Sequence, residues 1–271
     1  MAQGGIAGPI LLVGCGKMGG AMLSGWLERG VPGPFHVIEP GGAASFAGRA
    51  NVVADAGDLP GDLKPAVLVL AVKPQYMDEA IAPCARFVGP GTLVVSIAAG
   101  KTIAYFRRHL GGGAAVLRAM PNTPAAVGRG ITAVVAGPGV TAGQKAAGID
   151  LLEAVGEVVE VPAETDIDIV TALSGGGPAY VFLLIECLAA AGEAQGLPAE
   201  LAMRLARATV IGSGELARQS AESAAQLRVN VTSPGGTTAE ALKVLMAPEA
   251  MPALFRKAIA AATERSRELA G

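Results

Sequence analysis

Gly14-Cys15-Gly16-Lys17-Met18-Gly19 restricts the fold of this chain more than any other stretch. It follows the apolar run Ile10-Leu11-Leu12-Val13 directly. It opens MGGAMLSGWLERG, where Met18, Met22, Trp26 and Arg29 recur at helical spacing before Gly30 and Pro32. A strand, a G-x-G-x-x-G turn and a helix in that order begin a dinucleotide-binding βαβ unit. The first glycine allows the tight turn and the second lets backbone approach a pyrophosphate. The third lets helix pack on strand, and the helix N-terminus faces the phosphates. Gly14, Gly16, Lys17, Met18 and Gly19 are therefore candidate cofactor residues.

The pattern continues to about residue 161. FHVI (35–38), VLVLAV (67–72), TLVVSI (92–97), AVLRAM (115–120) and EVVEV (157–161) read as strands, with helix-like TAGQKAAGIDLLEAVG (141–156) among them. This alternation predicts an α/β fold of parallel strands with helices on the sheet faces. After Pro162 the pattern turns Ala-rich and helical. We expect two domains, a Rossmann-type dinucleotide-binding domain over 1–164 and an all-helical domain over 165–271. Pro178 opens one helix, and Gly196-Leu197-Pro198 ends it and starts the next. Gly212 and Gly214 inside the latter each cost ~1 kcal/mol against Ala, which close packing of another backbone would explain. AYVFLLIECLAAAG (179–192) carries Glu186 and is shorter than the ~20 residues of a membrane span, so it reads as a buried helix. A helix apolar nearly all round must be covered on every side. A unit of roughly a hundred residues scarcely does that alone, so a second copy of the chain is expected to cover it.

Composition narrows the function. Hydrophobic residues are 51% and charged residues 16% of the 271, enough for a sizeable core. The 21 Lys and Arg against 23 Asp and Glu form no basic block, which argues against nucleic acid as a partner. Cys15, Cys84 and Cys187 lie far apart without a C-x-x-C pair, so neither a zinc site nor a disulfide frame is expected. With an opening MAQGGIAGP that lacks the charged region of a secretory signal, a reducing, cytoplasmic setting is expected.

Glu39 ends the second strand about 20 residues after Gly19, where a carboxylate accepts from a ribose 2′-hydroxyl and repels a 2′-phosphate. That favours NAD over NADP. The following PGGAAS with small donors, and Arg49 beyond, leave a 2′-phosphate open. A solvated surface acid is the plain alternative for Glu39. LAVKPQ (70–75) ends a strand at the edge where open sheets bind ligands, making Ala71, Val72, Lys73 and Pro74 cofactor candidates. Pro74 holds Lys73 extended, though an ordinary strand-end turn reads nearly as well. In RAMPNTPAAVGRG (118–130), Asn122 and Thr123 have an amide and a hydroxyl to offer a nicotinamide or ribose. His36, in an apolar strand, reads as packed core, and His109, after YFRRHL, as an exposed helix end. Near the end, NVTSPGGTT (230–238) sets hydroxyls and glycines before helix-like AEALKVLM. Backbone N–H groups there suit an anion, whereas a simple Ser or Thr N-cap is the structural alternative.

GCGKMGGAM, LAVKPQ, VVSIAAG, RAMPNTPAAVGRG, LSGGGPAYVF and NVTSPGGTT, in this order, resemble pyrroline-5-carboxylate reductases from Ile10 to Leu269. The resemblance implies an N-terminal dinucleotide-binding domain and a helical domain interlocking two subunits, with dimers often assembled into rings. It implies hydride transfer from NADP(H) or NAD(H) to the cyclic imine Δ1-pyrroline-5-carboxylate, giving L-proline in the last step of proline biosynthesis. It makes Asn230, Val231, Ser233, Gly235, Gly236 and Thr237 substrate-binding and sets Thr238 at the ring nitrogen, as the catalytic residue. The chain departs from the family pattern at Gly176, where a second Ser is usual, and at Val229, where an acid is common. Reduction of another cyclic imine or a keto acid is the neighbouring possibility. A non-catalytic dinucleotide sensor and a helical interaction scaffold are the more distant ones.

Overall fold

The computed structural model describes residues 6–270, so the leader reading of MAQGG lies outside the described residues. By internal contacts the chain divides into two units, residues 6–175 with 262–270, and 176–261.

The first unit is built on eight strands: β1 (Ile10–Val13), β2 (Phe35–Ile38), β3 (Asn51–Val53), β4 (Val67–Leu70), β5 (Leu93–Ser96), β6 (Ala115–Met120), β7 (Gly130–Ala136) and β8 (Gly156–Glu160). They lie in the order β3-β2-β1-β4-β5-β6-β7-β8. Ile10 pairs with Phe35 on one side and Val67 on the other. β1 is thus flanked by β2 and β4, and strand order reverses beside it, the place where open sheets bind dinucleotides. The helices of this unit are α1 (Lys17–Glu28), α2 (Met77–Ile81), α3 (Ile103–Leu110), α4 (Ala142–Glu153) and α5 (Asp166–Val170). Side chains alternate across each strand. Ile10 and Leu12 join Trp26 and Leu151 in one core cluster, while Leu11 and Val13 join Ile81 and Phe106 in the other. Helices therefore cover both faces, and the strands read as unbroken apolar runs.

One part of the sheet corrects the expectation. β6 and β7 pair antiparallel, Leu117 opposite Ala136. The connection PNTPAAVGR is too short to carry a crossover, which needs a dozen residues or more, so the chain must reverse there. β7 and the three-residue β3 were not among the expected strands. His36 is also corrected. It is half-buried, its Nδ1 lies 3.1 Å from the Asn51 amide nitrogen, and burial lowers its pKa.

Trp26 is the keystone of one core cluster. It is fully buried, stacks on Phe35 at 6.0 Å between ring centroids, and donates its indole N–H to the Leu151 carbonyl at 2.8 Å. Trp26→Ala leaves a large cavity and an unpaired carbonyl, so a loss of about 3–5 kcal/mol is expected. Denaturant unfolding followed by circular dichroism measures it, since the variant lacks the single tryptophan of the chain.

The second unit contains α6 (Gly177–Ala194), α7 (Ala199–Gln219), α8 (Ala224–Asn230), α9 (Thr237–Leu245) and most of α10 (Met251–Ala270). α6 and α7 pack closely through small residues, with Ala189, Ala202 and Ala206 buried. A Cβ added at Gly192 would meet Ala202 Cβ at 3.3 Å. Within the single chain this apolar helix is not covered: Phe182 and Leu183 on α6 are 59% and 56% exposed, as expected of a helix that a second copy covers. Nor is the helical run short. From Asp166 to Ala194 it continues for 29 residues, through a π-helical turn at Thr171–Gly175, and by length and composition alone it could cross a membrane. Among the described residues, a Cβ at Gly212 or Gly214 would meet nothing within 4 Å beyond its own helix's backbone, so packing against another part of the described chain does not explain these glycines.

Candidate functional site

The first candidate surface is the turn from β1 into α1. Gly14 has φ +90°, a conformation other residues rarely adopt, and a Cβ there would sit 2.8 Å from Val72 Cγ1. A Cβ on Gly19 would come to 2.1 Å from the Gly14 carbonyl oxygen, so helix and turn touch backbone to backbone. Gly16 differs: its Cβ would meet nothing within 4 Å. It is the N-cap of α1 at φ −68° and ψ −158°, without a side-chain cap. Space therefore opens before N–H groups at the positive end of a twelve-residue helix, which fits a pyrophosphate. Lys17 is exposed beside it and Met18 half-buried.

A cavity of about 620 Å³ adjoins this turn, lined among others by Gly14, Gly16, Glu39, Asp55, Lys73 and Tyr76. Ala71 and Val72 belong to the same wall. Lys73 is extended at φ −63° and ψ 145°, and Pro74 starts a 3-10 turn immediately after it. The chain thus leaves β4 along the cavity. A second hollow of about 690 Å³ lies along α1, lined by Lys17, Ser24, Glu28, Phe46 and Val127. It contains neither Glu39 nor residues 71–73, so the smaller cavity is the one that matches a nucleotide.

Glu39 is not a free surface acid. Its Oε2 accepts from Cys15 N at 2.6 Å and its Oε1 from Gly41 N at 3.2 Å. Burial, and then the nearby Glu39 charge, push the Cys15 thiol up. Cys84, also on the cavity wall, is raised by burial to about 12. Both stay protonated at neutral pH and are poor nucleophiles.

Asn122 is engaged elsewhere. Its Oδ1 accepts from Ile131 N at 2.9 Å, and its Nδ2 donates to the Ser174 carbonyl at 3.3 Å. The side chain ties the end of β6 to the π-helical turn, while Thr123 is exposed. Asp55, Tyr76, Glu79 and Arg118 were not singled out from sequence. The first three meet at the cavity only through the segments after β3 and β4, Glu79 from α2. Their one sequence signal was position, just after short apolar runs. Arg118, 2% exposed on β6, donates from Nη1 to Glu164 Oε1 at 2.9 Å. The same oxygen accepts from Ile103 N at 2.7 Å, so the pair fixes the start of α3.

The second candidate surface lies in the helical unit. Gly236 N donates to the Ser233 carbonyl at 3.0 Å, closing a tight turn through Pro234 and Gly235, whose φ is +70°. Gly236 is the N-cap of α9, and no side chain caps the helix. The simple Ser or Thr N-cap is thereby excluded. Ser233, Thr237 and Thr238 are all exposed around the uncapped N–H groups, an arrangement of neutral donors suited to a carboxylate. Asn230 ends α8; its amide donates to Glu222 Oε2 and accepts from Gln226 Nε2, both at 2.8 Å. Val231 beside it is exposed. Of the departures, Gly176 is the N-cap of α6 at φ −80°, and Val229 is exposed.

Comparison with known proteins separates the two parts of the chain. Residues 9–100 match a family model described as NADP oxidoreductase coenzyme F420-dependent. Residues 164–269 match one described as pyrroline-5-carboxylate reductase dimerisation. Over 96% of its length the chain is 39% identical to 96% of the pyrroline-5-carboxylate reductase of Pseudomonas aeruginosa. The structure of such a reductase from Coxiella burnetii superposes with a TM-score of 0.89 at 35% identity, covering 97% of this chain and 99% of that one. That of the Plasmodium falciparum enzyme, with NADP bound, gives 0.82 at 29% identity over 97% and 98%.

Proposed function

The chain belongs to the pyrroline-5-carboxylate reductase family, and from that premise we propose that it reduces Δ1-pyrroline-5-carboxylate to L-proline, the last step of proline biosynthesis. The 39% identity to the Pseudomonas aeruginosa enzyme over 96% of this chain supports this reading. NADH or NADPH supplies the hydride when bound. The turn at Gly14, Gly16 and Gly19 would hold the pyrophosphate at the start of α1, with Lys17 and Met18 beside it. Residues 71–74 and Glu39 would flank the nucleoside. Asn122 acts through the π-helical turn that it holds, as a positioning residue.

The chemistry of the substrate suits the neutral turn before α9. A protonated imine accepts hydride at carbon without help from a strong base. The protein has to hold the ring and satisfy its carboxylate. Uncapped N–H groups in the first turn of α9, with the exposed hydroxyls of Ser233 and Thr237, support that role, and Gly236 shapes the turn that presents them. Pro234 and Gly235 set the turn, and Asn230 and Val231 lead into it. Thr238 hydrogen-bonds the ring nitrogen. An ordinary hydroxyl is a weak acid at neutral pH, so Thr238 acts more by orienting the ring than by giving a proton.

The helical domain over 165–271 forms a homo-oligomer, at least a dimer. The match of 164–269 to the dimerisation family supports this, and so does the exposed apolar surface of α6, which a second copy would cover. The same covering accounts for the apolar run without a membrane. Three free cysteines support a reducing, cytoplasmic location.

The test is steady-state oxidation of NADH and NADPH with pyrroline-5-carboxylate, a six-membered cyclic imine and a keto acid. Pyrroline-5-carboxylate should lead in kcat/KM by at least about 10-fold, the discrimination one methylene gives in a fitted pocket. A keto acid or the larger imine turning over faster would replace this substrate.

A further inference from the structure

Resting on the reading of the chain as a reductase that uses NADH or NADPH, we infer that Glu39, with Asp55 and Glu79 on the same cavity wall, makes the nucleotide cavity selective for NADH. The two cofactors differ by one phosphate on the ribose 2′-hydroxyl, so selection depends on what stands at the end of β2. Glu39 stands there, and backbone from two separate segments holds it. Cys15 N, in the glycine turn, donates to one carboxylate oxygen, and Gly41 N, beyond β2, donates to the other. A carboxylate has about four lone-pair sites. Two remain to accept from ribose hydroxyls, which is the contact NADH offers. A 2′-phosphate brings only acceptors and like charge against a group that is tethered in place.

The surroundings add to this. Asp55 and Glu79 line the same cavity, against a single cationic wall residue, Lys73. Asp55 is itself held in place, accepting from Gly57 N at 2.6 Å. Arg49, the cation that the sequence offered for a 2′-phosphate, is turned to other partners. Its Nη2 donates to the Ser45 carbonyl at 2.6 Å, and its guanidinium lies over the Phe46 ring at 5.6 Å. Arg49 is absent from the cavity lining.

Fluorescence titration of the full chain with NADH and with NADPH, without substrate, reads the preference apart from turnover. NADH should bind at least about 10-fold more tightly, because like charges placed face to face at a recognition site are strongly disfavoured. Glu39→Gln keeps the shape and removes the charge, and should reduce that ratio by about 10-fold. Equal binding of the two cofactors by the wild type, or tighter binding of NADPH, overturns the inference while leaving the reductase reading in place. A ratio unmoved by Glu39→Gln, in a variant that melts like the wild type, overturns the role given to Glu39. Binding of neither cofactor overturns the reductase reading and this inference with it.

Discussion

Gly16→Val is expected to abolish useful cofactor binding while leaving the fold intact. The backbone at Gly16 has an ordinary negative φ, and among the described residues an added Cβ meets nothing within 4 Å beyond its chain neighbours and its own helix's backbone. The branched side chain then occupies the space before the α1 N-terminus, where the pyrophosphate has to approach the N–H groups. A displacement of even 1 Å at such a site costs on the order of 100-fold, so NADH affinity should fall by about that factor. Stability should change by no more than about 1 kcal/mol, the usual scale for an N-cap change. Gly19→Ala provides the contrast. Its methyl would lie 2.1 Å from the Gly14 carbonyl oxygen, with backbone on both sides of the clash. That variant should lose affinity and also about 3 kcal/mol of stability, as overpacked interiors do. Cofactor titration and thermal melts of the two variants separate the effects. A Gly16→Val protein that binds NADH like the wild type would move the pyrophosphate away from this turn.

Thr238→Ala should lower kcat by about 10–1000-fold, the range lost with single catalytic donors, with a smaller change in KM. Thr238→Ser should recover most of the activity. The argument begins from the structure of α9. Gly236 is the N-cap and no side chain caps the helix, so Thr238 has no capping role to lose. Thr238 is exposed, and truncating its side chain should alter stability by less than about 0.5 kcal/mol. A purely structural threonine would give the opposite pattern, with a lower melting temperature and unchanged kcat.

Much of the first unit was legible because its signals are local. The apolar run at 10–13, the glycines at 14, 16 and 19 and the helical spacing of Met22 and Trp26 each depend on a few consecutive residues. The strand exit at Lys73 was legible for the same reason, since Pro74 restricts the residue before it. β7 was missed because the expectation of alternating strands and helices left no place for a strand that turns straight back from β6. β3 has only three residues, too few for a pattern. Asn122 offered an amide in the sequence, but sequence alone does not reveal that Ile131 N and Ser174 already engage it. The acid set of the cavity was illegible for a related reason: Glu39 follows β2, Asp55 follows β3, and Glu79 lies in α2, so three separate segments supply it. The apolar character of α6, and the need for something outside the single unit to cover it, were legible. A lone chain leaves that surface exposed, and the periodicity of one helix does not say which molecule covers it.

The most direct measurement follows the hydride itself. The wild-type protein is incubated with pyrroline-5-carboxylate and NADH dideuterated at the nicotinamide carbon that donates hydride, and the product is examined by mass spectrometry and NMR. The account predicts L-proline carrying one deuterium at the former imine carbon, formed in step with cofactor oxidation. Proline without deuterium at that carbon, or cofactor that binds and is never oxidised by this substrate, would contradict it.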